Sequence, residues 1–122
     1  MRRQRPQSAP APQALATVDC RELDIADGPT SARFSLFADT IGLAGQFQDA
    51  VNTSEVSQCP GEIDSPLSWH YPATPDFSAG SLVCGTHDNA PVLTWTKNDA
   101  LLLGSVQGSS LDNLYGWWLS LG

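Results

Sequence analysis

Between residues 80 and 106 three apolar, strand-forming runs follow one another with only short breaks, and few folds accommodate that arrangement. The runs are residues 80–86 (GSLVCGT), 91–96 (PVLTWT) and 100–106 (ALLLGSV), and the breaks hold Asp88-Asn89 and Asn98-Asp99. Asn and Asp tolerate the left-handed conformations that tight turns require, so the spacing predicts two consecutive hairpins and an antiparallel meander.

Upstream, the period stays at two and then changes. From Leu15, Ala16, Val18 and Cys20 alternate with Thr17 and Asp19, which predicts a half-buried strand. A second strand is predicted over residues 32–38, with Ala32, Phe34 and Leu36 on one side, Arg33 and Ser35 on the other, and Gly28-Pro29 as the turn before it. Leu43, Phe47, Ala50 and Val51 then recur at helical spacing behind Asp39 or Thr40, either of which can cap the first free amides; this helix should run to about Ser54. A closing helix is predicted with Leu111, Leu114, Tyr115 and Trp118 on one face, and Ser109 stands three residues before Asp112 at capping-box spacing.

Residues 55–79 separate the halves. They are rich in Pro, Ser, Asp and Gly and read as a long packed connection carrying Trp69-His70-Tyr71. The expected fold is therefore α+β: a five-stranded, mainly antiparallel sheet in the order β-β-α-long loop-β-β-β-α, with two helices packed on one face. Residues 14–122 should form one domain, and residues 1–13, with Pro6, Pro10 and Pro12 among Arg, Gln, Ser and Ala, a disordered linker.

Charge narrows the partners. Residues 6–122 hold three bases, Arg21, Arg33 and Lys97, against thirteen acids, a net charge of −10. Nucleic acid and anionic membrane, which are bound through Lys and Arg, are poor partners for such a domain. The acids are scattered, and no loop has the alternating carboxylates of a calcium site. No apolar run reaches the length of a membrane span, and the start MRRQRPQSAP is not followed by a signal-peptide core, so any membrane link is expected through an anchor that this sequence does not contain.

Three cysteines bear on chemistry. In a short, charge-poor chain they suggest a disulfide, and pairing Cys59 with Cys84 would staple the long connection to the sheet while Cys20 stays unpaired. Three buried thiols are the plainer alternative. Cys59, His70, Cys84 and His87 are also a zinc-type ligand set, but only Cys84 and His87 are close in sequence, so no metal site is expected. A thiol at Cys59 with His70 as its base is the one catalytic pairing on offer. No nucleophile elbow, paired-carboxylate signature or Gly-rich phosphate loop is present, and we expect neither a catalytic site nor a cofactor.

The four tryptophans divide by context. Trp95 and Trp118 fit core positions, whereas Trp69 and Trp117 are the candidates for a groove, because adjacent helical residues such as Trp117 and Trp118 point to different sides. Trp69, His70, Tyr71 and Trp117 are therefore the expected recognition surface, with Trp69 as a mere plug of the loop as the competing reading.

The segments ARFSLFADT (residues 32–40), CPG (59–61), SWHY (68–71), AGSLVCG (79–85), LTWTKNDALLLG (93–104) and LDNLYGWW (111–118) resemble the small extracytoplasmic modules of mycobacterial and other actinobacterial membrane proteins, including some receptor-type serine/threonine kinases. The resemblance spans about residues 14–119 and implies an exported, disulfide-bonded, sensor-like module with an unknown cell-envelope ligand or protein partner. The sequence departs from that pattern in lacking a kinase, a transmembrane helix and a fourth cysteine upstream of Cys20. A non-enzymatic ligand-binding or sensor-like module is thus the leading expectation. A structural or protein-interaction module is the second, and a Cys59/His70 or zinc hydrolase the third.

One outcome follows from charge alone. At physiological salt the protein should leave the electrophoretic mobility of duplex and single-stranded DNA unchanged at micromolar concentration, with the arginines of residues 1–5 deleted as a control. A salt-sensitive shift in that variant would reveal a local basic patch that the count of bases misses.

Overall fold

A computed structural model describes residues 14–121. Seven strands and two helices follow one another as β1 (Ala14–Cys20), β2 (Ser31–Phe37), α1 (Thr40–Thr53), β3 (Glu55–Ser57), β4 (Leu67–Trp69), β5 (Gly80–His87), β6 (Ala90–Lys97), β7 (Leu102–Gln107) and α2 (Leu111–Leu119). The expected linker over residues 1–13 lies outside the described residues.

All strand pairs are antiparallel, in the order β1-β2-β7-β6-β5-β3, with β4 also paired to β5. The α+β class and the meander agree with the sequence. The number of strands does not: the expected five become seven because the connection after α1 is not structureless. It sends two three-residue strands back to β5, and a bridge between Cys59 and Ile63 closes a small turn between them.

The turns obey local chemistry. In the β5–β6 hairpin, Asp88 (φ 53°) and Asn89 (φ 68°) both occupy the left-handed region, as a two-residue turn of this hand demands. The β6–β7 connection is longer than its Asn98-Asp99 pair suggests. One turn of 3-10 helix over Asn98–Ala100 is followed by Leu101 at φ 52°, so the strand starts at Leu102 rather than Ala100.

Asp39 caps α1, its Oδ1 accepting from the Gly42 amide at 2.8 Å. The cap of α2 is Ser110, whose Oγ accepts from the Asn113 amide at 3.2 Å, and not the expected Ser109. The Gly108 amide still donates to the Pro91 carbonyl, so the chain leaves the sheet only after it and the helix starts one residue later.

The helices lie on opposite faces of the sheet, not on one. Cross-strand pairing places Leu82, Trp95, Gly104, Phe34 and Val18 in one row, and Cys84, Leu93, Val106, Ala32 and Cys20 in the next, on the face that α2 covers with Leu114. Val83, Leu103 and Phe37 point the other way and meet Leu43 and Phe47 of α1. The cause lies in the centre of the sheet. Residues 92–96 of β6 are buried without a break, so both of its faces need cover, and one layer of helices cannot provide it.

The α1 face is polar toward β1. Thr94, Ser105, Arg33 and Asp19 are cross-strand neighbours, with the Thr94 and Ser105 hydroxyls 3.0 Å apart. Arg33 donates from Nε to Asp19 Oδ1 at 2.6 Å and from Nη2 to Oδ2 at 3.0 Å. That bidentate pairing holds the Asp19 carboxyl below its usual range and the guanidinium above its own.

Cys59 and Cys84 are joined in a disulfide, buried in the core cluster beneath α2, and Cys20 keeps a free, half-buried thiol. The bond ties the β3–β4 segment to the central strand across a sequence separation of 25 residues. In the chain-entropy view, a closed loop of that length stabilises the fold by about 3 kcal/mol. Reduction, or the double substitution of Cys59 and Cys84 by Ala, should lower the free energy of unfolding by about that amount. Chemical denaturation with and without reductant checks it, and Cys20→Ser should leave the same measurement near the parent value.

Candidate functional site

The α2 helix has nine residues, about 13 Å of cover, and so it roofs only part of its face of the sheet. Beside it lies a groove of about 650 Å³. Its floor is the row Leu82, Trp95 and Phe34, with Leu102 beyond. One wall is the β4 segment, Leu67 to Pro72, and the other is the face of α2 that carries Tyr115, Trp117 and Trp118, continued by Leu119 and Leu121. All four tryptophans and both tyrosines of the chain line it.

Two glycines shape this surface. Trp95 is 4% exposed, and its indole lies over Gly104 of the neighbouring strand; a Cβ there would sit 2.6 Å from the ring. Gly80 faces Trp69 across the β4–β5 pair, and a Cβ at that position would collide with the Thr96 carbonyl and come within 2.7 Å of Trp69 Nε1. Without it, the Trp69 indole N–H donates to the Thr96 carbonyl at 2.8 Å.

The rings form two edge-to-face strings. Phe34 meets Trp95 at 6.1 Å and Trp95 meets Trp117 at 6.3 Å. Tyr71 meets Trp69 at 5.1 Å, Trp69 meets Trp118 at 5.6 Å, and Trp118 stacks on Tyr115 one helical turn away. Edge-to-face contacts at these separations add to area burial, so the walls hold each other in place.

The structure brings all four expected recognition residues, Trp69, His70, Tyr71 and Trp117, to this one groove. It also settles what Trp69 does for the fold: the ring is half-buried, hydrogen-bonded and packed on two aromatics, so the plug and the groove wall are the same side chain. Trp118, assigned to the core from sequence, lines the groove as well, and so does buried Trp95. Tyr115 and Lys97 were missed. The signals were present, since Tyr115 is three residues before Trp118 on a helix and Lys97 shares the strand parity of Trp95.

Polar chemistry at the groove is sparse. His70 is exposed at its edge. Lys97 stands at its end, and the Tyr71 hydroxyl, with the Asp99 carboxylate 3.6 Å away, holds its ammonium above the usual lysine range.

The remaining candidates do not converge. His87 sits at the far end of β5 with its Nδ1 3.2 Å from the Thr53 carbonyl oxygen. The disulfide consumes both thiols that the zinc set would need, as well as the nucleophile of a Cys59/His70 pair, and Cys59 is buried. Among the described residues, no three His, Cys, Asp or Glu side chains cluster as metal ligands, and no helix is long and apolar enough to cross a membrane.

No protein-family model, curated protein or solved structure matches this chain.

Because Trp69 carries both a hydrogen bond and two ring contacts, Trp69→Ala should cost about 3 kcal/mol of stability, within the range for large aromatic truncations. Trp69→Phe keeps the ring contacts, strands the Thr96 carbonyl, and should cost roughly half as much. Thermal or urea unfolding of both variants distinguishes this from a freely exposed ring, for which neither change would matter.

Proposed function

We propose that this domain is a non-enzymatic, extracytoplasmic ligand-binding module of sensor type, associated with an actinobacterial membrane protein or receptor kinase, and that its ligand lies in the aromatic groove. The observation that carries the reading is the concentration of every Trp and Tyr of the chain on one open concavity, with few polar groups among them. Concave, largely apolar sites of 300–1,000 Å³ are the usual form of small-ligand sites, and this groove falls within that class. Rigid aromatic side chains provide contact area at low entropic cost. The Cys59–Cys84 disulfide supports an oxidising compartment, and the motif resemblance of residues 14–119 supports the membrane-protein association.

A structural or protein-interaction role through the same surface is the second reading. It is favoured by Leu119 and Leu121, which line the groove yet remain more than half exposed, as docking residues do before a partner covers them.

The test is occupancy by a neutral apolar dye such as Nile red. Saturable binding with a blue-shifted emission is expected. Trp117→Ala should weaken it about tenfold, the effect of removing one well-packed aromatic anchor. Phe77→Ala, which removes an exposed ring outside the groove, should leave it unchanged. Equal effects of the two variants, or no saturable binding, would show that the groove is not the site.

A further inference from the structure

The charges around the groove are distributed against the composition of the chain. Thirteen acids and three bases occupy residues 6–122, yet no acid lines the groove and one of those three bases, Lys97, does. Lys97 is two residues beyond Trp95 on β6, so it rises from the same face of the sheet at the end of the apolar floor, about 7 Å along the strand. Its ammonium is partly exposed and stays charged, raised by Tyr71 and Asp99. Asp99 itself does not line the groove and is two-thirds exposed.

Resting on the groove reading above, we propose that the occupant is a single-chain amphiphile with an anionic head, a long-chain carboxylate, its tail along the half-buried Phe34, Leu102, Trp117 and Trp118 and its head at Lys97. A neutral apolar ligand would gain nothing from the lysine, and a cationic head would be repelled by it. An anionic head on a short polar molecule would leave the aromatic floor unused. The carboxylate exchanges one partner of Lys97, the Asp99 side chain, for another, so Asp99 is a competitor for the same ammonium.

The experiment compares dodecanoate, dodecanol and dodecylammonium, each below its critical micelle concentration, by displacement of Nile red and by tryptophan fluorescence. Dodecanoate should bind about fivefold more tightly than dodecanol, the scale of one partly exposed ion pair, and dodecylammonium more weakly than both. Decanoate should bind roughly fifteenfold more weakly than dodecanoate, about fourfold for each methylene lost from the floor. Lys97→Met should abolish the preference for carboxylate over alcohol, and Asp99→Asn should increase it, the preference being the ratio of the two affinities within each variant. The preference should also shrink as salt is added.

Equal binding of acid and alcohol, or a preference that survives Lys97→Met in a variant that melts like the parent, would overturn the anionic head and leave the groove reading standing. Displacement of the dye by none of the three would overturn the amphiphile. Failure of the dye itself to bind would remove the groove reading on which this inference rests.

Discussion

The row that runs Leu82, Trp95, Gly104, Phe34 across four strands is the contact from which the rest of the structure is organised. Trp95 can lie flat on the sheet only because its cross-strand neighbour has no Cβ, and the missing side chain is replaced by the indole itself. The ring is then a buried platform on which neighbouring aromatics pack. Trp117 of α2 and Phe34 of β2 both meet it edge to face. Replacing Gly104 by any larger residue would displace the ring and with it the contacts to Phe34 and Trp117.

The two faces of the sheet solve the burial of β6 differently. On one, α1 lays Leu43 and Phe47 over Val83, Leu103 and Phe37, and where the helix does not reach, hydroxyls and the Arg33–Asp19 pair take over. On the other, α2 is too short, and the uncovered area stays apolar. A polar remainder is at ease with water, whereas an aromatic remainder is not, so the second face is the one that would gain more from being covered.

How much of this was legible in the sequence depends on the length of each element. β2, α1, β5, β6 and α2 repeat their apolar pattern over six residues or more, and their positions follow from period and turn residues. β3 and β4 have three residues each, too few to show a period, and exist because β5 offers them a pairing edge that only the folded sheet creates. The opposed placement of the helices was not available in the sequence, because β6 alternates Leu93 and Trp95 with Thr94 and Thr96 like a one-sided strand, and only the structure shows residues 92–96 buried on both faces. At the groove, the exposed aromatics of the long connection and Trp117 could be named from sequence. The floor could not, because it depends on which glycine meets which tryptophan, a matter of register.

The two walls are held by different means. The β4 wall is tied to the sheet by strand pairing, by the Trp69 bond to Thr96 and, ten residues upstream, by the disulfide. Strand pairing and the indole bond hold Trp69 in one place, which lowers the ordering cost of a contact made there. The α2 wall has a Ser110 cap at its start and side-chain packing along its length, but no strand pairing. Beyond it, Leu119 and Leu121 are exposed. Packing contacts yield to small displacements more readily than a hydrogen-bonded strand locked by a disulfide does. The two walls meet through Trp69 and Trp118, one side fixed by strand pairing and the other by packing alone.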